Sequence, residues 1–274
     1  MLISLSALHY YPIKSCAGTS VSRAQAAERG LVDDREYMVV DADNHFLTQR
    51  EFARMALIKP TLRDGLLTVT APNIDTLTVD PMEYIETREV VVWDDTCRAH
   101  DMGNLAAEWF STFLGTTARL VRKDRHQKRR VDPRYSPNDN DEASFSDGFP
   151  FLLISEASLA DLNAQLETPL PMNRFRPNLV VTGCEPFAED TWKRICIGTL
   201  ELALVKPCAR CAITTTDQAT AVRGKEPLAT LATFRRTQGN QKVMFGQNVI
   251  YAQSDANRRG WLEVGMPVEV LDSD

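Results

Sequence analysis

The sequence has few of the features that mark membrane and exported proteins. In its 274 residues no apolar run approaches the roughly 20 residues that a membrane-spanning helix needs. The first residues, MLISLSALHYYPIK, lack the basic start and the small-residue cleavage site of a signal peptide. We therefore expect a cytoplasmic protein without a membrane span, whose six cysteines are thiols and not disulfides.

Positive charge and metal-binding clusters are also scarce. Lys and Arg number 31 against 37 Asp and Glu, which gives a net charge of −6. A chain of that sign has no overall attraction for nucleic acid, so a nucleic-acid polymer is not an expected partner. The four histidines stand singly, and Cys208 and Cys211 form the one close cysteine pair. A structural zinc site takes four ligands, so this pair alone does not predict one.

Short strand-like runs dominate what the sequence does contain. Seven β-branched or alternating segments, among them LISLSALHY, EVVVW, NLVVTG and MPVEVL, are bounded by turn residues. Three helices are predicted: in NLAAEWFSTFLG, with Asn104 as N-cap, Leu105 on the apolar face and Gly115 as the stop; in SEASLADLNAQL, with Ser155 as N-cap; and in EPLATLATFRR, with Pro227 in its first turn. Many strands with few helices predict a mainly β, α+β protein built of barrel-like sheets with helical decorations.

Residues 122–148 interrupt this pattern, because the run is basic first, acidic later, and rich in Pro, Asp and Asn. We interpret it as a solvated connection between domains. The alternative is a lid or a docking surface, since long irregular segments in compact proteins are often functional. In that case the basic stretch with Lys128, Arg129 and Arg130 would attract an acidic partner protein.

The cysteine pair in KPCARCAITTTD leaves several interpretations open from its residues alone: a redox dithiol, a catalytic nucleophile, a soft-metal ligand or packing thiols. A thioredoxin-type dithiol opens a helix, whereas this pair follows a strand-like run and precedes the β-favouring AITTT. Arg210 between the cysteines is expected to favour the thiolate of Cys211, the form that attacks a substrate or binds a soft metal. The remaining cysteines are interpreted as packing thiols: Cys16, Cys97, Cys184 and Cys196.

The surroundings of this pair resemble a known family. KPCARCAITTTD, KEPLATLATFRR and FGQN, preceded by FRPNLVVTG, are similar to the MOSC family of molybdenum-cofactor proteins. YPIKSC and GLVDDREYMVV are similar to the β-barrel module that precedes MOSC in the branch of the mitochondrial amidoxime-reducing component and of bacterial reductases of N-hydroxylated compounds. The resemblance runs from Leu2 to Leu271 with the motifs in family order. It implies an N-terminal β-barrel-like module in residues 1–121 and a β-barrel MOSC domain in residues 122–274.

The resemblance also implies roles for the matching residues. Cys211, the second cysteine of the CxRC motif, would ligate molybdenum and be the catalytic residue. The pterin and phosphate of the molybdenum cofactor, Mo-molybdopterin, would be held by residues from separate segments: Lys14, Ser15, Arg35, Arg176, Asn178, Ala209 and Arg210. Guanidinium and amide donors suit such an anionic group. Gly148, Phe149 and Asn248 stand where relatives carry a Thr-Ser pair and a tyrosine, so cofactor contacts there would come from the backbone or change.

The function implied by the resemblance is a molybdenum-dependent oxidoreductase that detoxifies N-hydroxylated small molecules, such as hydroxylaminopurines and amidoximes, by removing oxygen. No cysteine follows Cys211, and no GxGxxG dinucleotide fingerprint occurs in the sequence. We therefore expect a separate electron donor, a ferredoxin or a flavin reductase. Two alternatives stay open: a non-enzymatic carrier of the cofactor or of sulfur, and a β-barrel binding module that has lost the metal.

Overall fold

The architecture is mainly β, in a computed structural model that describes residues 2–136, 138–237, 241–252 and 258–274. Within these residues the strands and helices are β1 (Ser4–Tyr10), β2 (Thr19–Val21), β3 (Arg23–Ala27), β4 (Gly30–Leu31), β5 (Tyr37–Val40), β6 (Lys59–Arg63), β7 (Leu66–Ala71), β8 (Ile74–Val79), β9 (Glu86–Val92), β10 (Asp95–Asp101), α1 (Asn104–Leu114), β11 (Arg119–Lys123), β12 (Phe151–Ser155), α2 (Glu156–Ala164), β13 (Leu179–Thr182), β14 (Trp192–Ile197), β15 (Leu200–Arg210), α3 (Leu228–Phe234), β16 (Val243–Tyr251), β17 (Gly260–Glu263) and β18 (Val268–Ser273). The predicted fold class is confirmed.

The largest sheet joins the two ends of the chain. Its strand order is β18-β14-β15-β16-β12-β13-β1-β2, so the first strand of the chain lies among strands from the C-terminal half. Strand β1 pairs antiparallel with β13, with Leu8 opposite Leu179, while β12 and β13 run parallel. A second link is made by β17, which pairs antiparallel with β3. The turn that follows β1 is therefore held beside C-terminal segments.

The remaining strands form an N-terminal unit around its own core. One sheet has the order β5-β11-β10-β9 and another the order β6-β7-β8, and α1 packs against β8 and β11. A buried cluster of aromatic and aliphatic side chains, including Trp109, Phe110 and Phe113 of α1, fills the space between them. Strand β11 ends at Lys123, close to the boundary predicted at residue 121. The division into 1–121 and 122–274 stays a prediction.

The helix ends test the sequence patterns directly. Gly115 ends α1 in a left-handed conformation with φ 72°, and the Ser155 hydroxyl caps α2 by accepting from the Ser158 amide, so both predictions are confirmed. The N-cap of α1 is Gly103, because Asn104 is already its first helical residue. Leu105 is 79% exposed, so the assignment of Leu105 to the apolar face is wrong. None of the described helices is long and apolar enough to cross a membrane.

The segment 122–148 is not a solvated connection, so that interpretation is wrong. Lys123, Arg129 and Phe145 are all buried. Arg129 Nε donates to Asp95 Oδ2 at 2.7 Å, and Arg129 Nη1 donates to two carbonyl groups of residues 144 and 146 at 2.9 and 2.6 Å. Arg129 therefore ties the segment to the N-terminal sheet and cannot serve as a docking charge. Its sequence neighbour Arg130 is exposed.

Candidate functional site

A polar pocket lies where the two halves of the chain meet. Every site residue named from the sequence lines it: Lys14, Ser15, Arg35, Gly148, Phe149, Arg176, Asn178, Ala209, Arg210, Cys211 and Asn248. The lining also includes Cys208, the other cysteine of the pair, and residues that the sequence did not single out: Ser146, Asp147, Phe151, Leu152, Phe175 and Ile213. The structure thus brings together segments that are up to 234 positions apart, from residue 14 to residue 248.

The strand order explains this convergence. Because β1 is antiparallel to β13, and β13 is parallel to β12, the end of β1 and the starts of β12 and β13 share one edge of the sheet. Lys14 and Ser15 follow β1, while Gly148 and Asn178 precede β12 and β13. Strand β15 approaches by a different route. Its register with β16 shifts twice, between residues 204 and 206 and between 207 and 209, and such bulges bend a strand.

Three lining residues have strained backbones. Ser15, Arg35 and Arg176 have φ angles of 65°, 51° and 57°, in the left-handed region that residues other than glycine seldom adopt. Each such conformation costs on the order of 1–3 kcal/mol and persists where the surroundings over-determine it, often at functional sites. Three strained residues around one pocket indicate that the fold holds the side chains of these residues in fixed orientations in spite of the strain energy.

Two guanidinium groups of the pocket lining pack on one aromatic ring. The Arg35 and Arg176 guanidinium carbons lie 4.3 and 4.2 Å from the ring centroid of Tyr11. Arg35 is neutralised by Asp34, to which its Nη1 donates at 2.9 and 2.6 Å. Arg176 Nη1 donates to the carbonyl of Cys16 at 2.6 Å, but its Nη2 is buried without a hydrogen-bond partner. Burial lowers the pKa of Arg176 to about 10.

Lys14 is held by the segment that the sequence analysis had placed in solvent. Its Nζ donates to the carbonyl of Phe145 at 2.8 Å and to Asp147 Oδ1 at 2.5 Å. Burial lowers the pKa of Lys14 to about 8, although the Asp147 carboxylate opposes that change. The sequence analysis did not predict that Asp147 pairs with Lys14 in the pocket. The sequence signal that could have indicated it is the position of Asp147 directly before Gly148 and Phe149.

The guanidinium between the two cysteines contacts Cys208. Since alternate residues of a strand share a face, Cys208 and Arg210 project to one side of β15, and Arg210 Nη1 lies 3.0 Å from the Cys208 sulfur. Arg210 Nη2 donates to the carbonyl of Phe175, so the contacts of this guanidinium go to Cys208 and Phe175, and its expected action on Cys211 stays a prediction. Cys211 is half-buried and comes just after the strand. It caps a 3₁₀ turn over Ala212–Thr215, where the sequence favoured a β conformation.

All six cysteines are free thiols, as predicted. Cys16 and Cys97 are buried, in keeping with packing roles, whereas Cys184 and Cys196 are only half-buried. Over the described parts of the chain, no three His, Cys, Asp or Glu side chains gather into a metal site. A metal held by Cys211 would thus need its other ligands from a bound group.

The charges of the pocket specify the kind of ligand that it suits. Lys14, Arg35, Arg176 and Arg210 are on its lining, while Asp147 is the one acidic residue among the described lining residues. This excess of cations in a chain of net charge −6 favours an anionic ligand. The unpartnered Nη2 of Arg176 is a donor suited to a phosphate oxygen. The lining fits a phosphate-bearing group that supplies further metal ligands.

Two protein-family models and several known proteins are similar to this chain. The model of the MOSC N-terminal beta barrel domain matches residues 2–117, and the model of the MOSC domain matches residues 140–269. Mitochondrial amidoxime reducing component 2 from Bos taurus is 36% identical, over 97% of this chain and 82% of its own length. Mitochondrial amidoxime-reducing component 1 from Homo sapiens is 35% identical, over 98% of this chain and 83% of its own. The solved YuaD protein from Bacillus subtilis covers 98% of this chain and 95% of its own at 11% identity, with a TM-score of 0.44.

Proposed function

Because this chain belongs to the MOSC family and carries that family's N-terminal beta barrel domain, we propose that it is a molybdenum-cofactor-dependent reductase of N-hydroxylated compounds. The observation that carries the proposal is the meeting of all the sequence-predicted cofactor residues in one cation-rich pocket. The names of the relatives support amidoximes as the substrate class. A hydroxylaminopurine is a second candidate substrate.

The residues divide into a metal ligand and a cradle. Cys211 would hold the metal through its sulfur, a ligand type that soft metals prefer. Arg176, through its free Nη2, and Lys14, through its ammonium group, would bind the phosphate of the cofactor. Arg35 is already paired with Asp34, so it would position the loop that carries Asn178, to which its Nη1 donates at 3.2 Å. When bound, the molybdenum cofactor supplies the two-electron chemistry that removes oxygen from an N–OH group.

The reaction needs a source of electrons. Conversion of R–NHOH to R–NH₂ and water consumes two electrons and two protons per molecule. We propose that a separate redox protein, a ferredoxin or a flavin reductase, supplies the electrons in the cytoplasm. Lys128 and Arg130 are exposed and stay candidate docking residues without the buried Arg129, and the Arg130 charge is shared with the exposed Asp139.

One experiment tests the proposal. Protein made in a host that synthesises the cofactor is analysed for molybdenum and pterin and then assayed with benzamidoxime and reduced viologen. We expect close to one molybdenum per chain, amidine formation with viologen, and no turnover with NADPH until a redox partner is added. A chain that binds the cofactor but reduces no N-hydroxylated compound would instead be a carrier. A chain without molybdenum would contradict the proposal altogether.

A further inference from the structure

A single carboxylate interrupts the cationic lining of the pocket. Asp147 lies between Ser146 and Gly148 on a short stretch whose course is set by the two Arg129 bonds to carbonyl groups of residues 144 and 146. The Ser146 hydroxyl also donates to the Phe149 carbonyl at 2.8 Å. The backbone that carries Asp147 is therefore anchored on both sides. A carboxylate repels an anionic cofactor, so binding of the cofactor does not explain why Asp147 lines the pocket.

The hydrogen bonds of Asp147 all fall on one oxygen. Lys14 Nζ and Trp93 Nε1 both donate to Oδ1, at 2.5 and 3.2 Å. Oδ2 has no hydrogen-bond partner within the described parts of the chain, and the side chain is 67% exposed. Partial removal of water from the Asp147 side chain opposes its ionisation. The Lys14 ammonium outweighs this effect and holds the pKa of Asp147 below its ordinary value. The second oxygen is thus a charged acceptor that is open to a ligand.

The partner that orients this carboxylate is itself fixed. Trp93 has a left-handed backbone with φ 56°, an uncommon conformation for a bulky residue. Its ring lies 4.4 Å from the Arg50 guanidinium and 5.0 Å from the ring of Phe46. A strained residue held by two neighbours and aimed at one carboxylate oxygen indicates that the orientation of Asp147 is built into the fold.

The chemistry of the proposed substrates supplies a partner for the open oxygen. An amidoxime carries an amino group on the carbon that bears the N–OH group. An ionised carboxylate oxygen can accept a hydrogen bond and cannot donate one, so a donor such as this amino group suits it. A hydroxamic acid has a carbonyl oxygen in the place of that amino group, and two acceptors repel each other. We propose that Asp147 Oδ2 accepts a hydrogen bond from the amino group of amidoxime-like substrates and so selects them over hydroxamic acids. This inference rests on the proposed reductase function.

Kinetics on a matched substrate pair test the inference. Benzamidoxime and benzhydroxamic acid have the same phenyl ring. Benzamidoxime carries an amino group where benzhydroxamic acid carries a carbonyl oxygen. With reduced viologen, and with rates normalised to bound molybdenum, we expect Asp147→Asn to lower kcat/KM for benzamidoxime by about tenfold. The value for benzhydroxamic acid should change little, and Asp147→Glu should restore part of the preference. Equal losses on both substrates would overturn the inference, because a merely structural role of Asp147 affects both alike.

The choice of variant protects the test against misfolding. Asn keeps an acceptor oxygen for Lys14 and Trp93 while it removes the charge, and molybdenum and pterin contents report whether cofactor binding is disturbed. Asp139→Asn is the control for charge alone, since Asp139 lies in the same segment but its side chain is 87% exposed in a pair with Arg130. It should leave the substrate preference at the wild-type value.

A binding measurement separates this inference from the proposed function. Benzamidine, the cationic product of benzamidoxime reduction, is titrated into the purified protein by calorimetry. We expect Asp147→Asn to weaken its binding by about tenfold. If the wild type holds molybdenum and reduces neither substrate, the reductase proposal fails. If it reduces both, and Asp147→Asn alters neither the preference nor the benzamidine affinity, the reductase proposal stands and this inference fails.

Discussion

Arg176→Met should separate cofactor binding from stability, because the Arg176 guanidinium acts on the two in opposite directions. The group is buried beside a second guanidinium, that of Arg35, and its Nη2 has no partner. Burial lowers its pKa from 12.5 to about 10, and that difference corresponds to a cost of about 3 kcal/mol in the cofactor-free fold. The substitution removes this cost. It also removes the bond to the Cys16 carbonyl, worth about 1.5–3 kcal/mol for a charged donor.

These two effects nearly cancel in the cofactor-free protein. We expect the free energy of unfolding of Arg176→Met, measured in urea, to lie within about 1.5 kcal/mol of the wild type. The cofactor complex has no such compensation. Loss of a charge-assisted bond to its phosphate, about 1.5–3 kcal/mol, corresponds to a roughly 10- to 150-fold weaker affinity.

The assay is the pterin content of protein exposed to limiting cofactor, with the urea midpoint measured on the same preparations. Arg119→Met is the matched control, because it removes an arginine that is paired with the buried Asp101 in the N-terminal unit and is not part of the pocket lining. It should lower stability and keep the cofactor. Pterin retention by Arg176→Met equal to that of the wild type would refute the assigned phosphate contact. So would a loss of stability as large as the loss of binding.

Three further predictions concern the thiols, the buried segment and pH. Cys211→Ser should lose molybdenum and reductase activity while Cys208→Ser keeps the metal, as measured by elemental analysis, and the reverse result would mean that the ligand is misassigned. Arg129→Met should lower the free energy of unfolding by about 2–4 kcal/mol, because it leaves two carbonyl groups without a hydrogen-bond donor. Substitution of the exposed Arg130 by Met should change the free energy of unfolding by less than about 0.5 kcal/mol. Similar urea midpoints for the two variants would contradict this prediction. The pKa of Lys14 is lowered from 10.5 to about 8, so between these pH values the unfolded chain binds more protons than the folded chain. The stability of the cofactor-free protein should therefore rise with pH over this range. The affinity for the cofactor should fall over the same range, because folded Lys14 loses its charge. Lys14→Met should flatten both pH profiles, and unchanged slopes would exclude Lys14 as the titrating group.

Several features of the fold were open to prediction because their causes are local. Gly115 ends its helix in a conformation that glycine adopts without cost, and Ser155 caps its helix with its own hydroxyl. The strand-rich fold class follows from short alternating runs, whose period of two needs no knowledge of the partner strand. Many of the pocket residues could also be predicted, because each family motif that contains them is a short continuous stretch of sequence.

Features that depend on distant partners could not be predicted this way. The polar composition of residues 122–148 favoured solvent, but Arg129 finds Asp95 and two carbonyl groups, so its charge is satisfied inside the fold. The sequence likewise did not show that Arg210 contacts Cys208, whose sulfur lies 3.0 Å from its Nη1 in the fold.

The sequence by itself determined most of the residues that line the pocket, and it determined the helix ends at Gly115 and Ser155. The tertiary structure alone decided how those residues are paired. Strand order brings Lys14 to Asp147 and leaves Arg176 with a free donor and Asp147 with a free acceptor. The physical reason is that the state of a charge depends on burial and on partners, and both are properties of the folded chain that no short stretch of sequence contains.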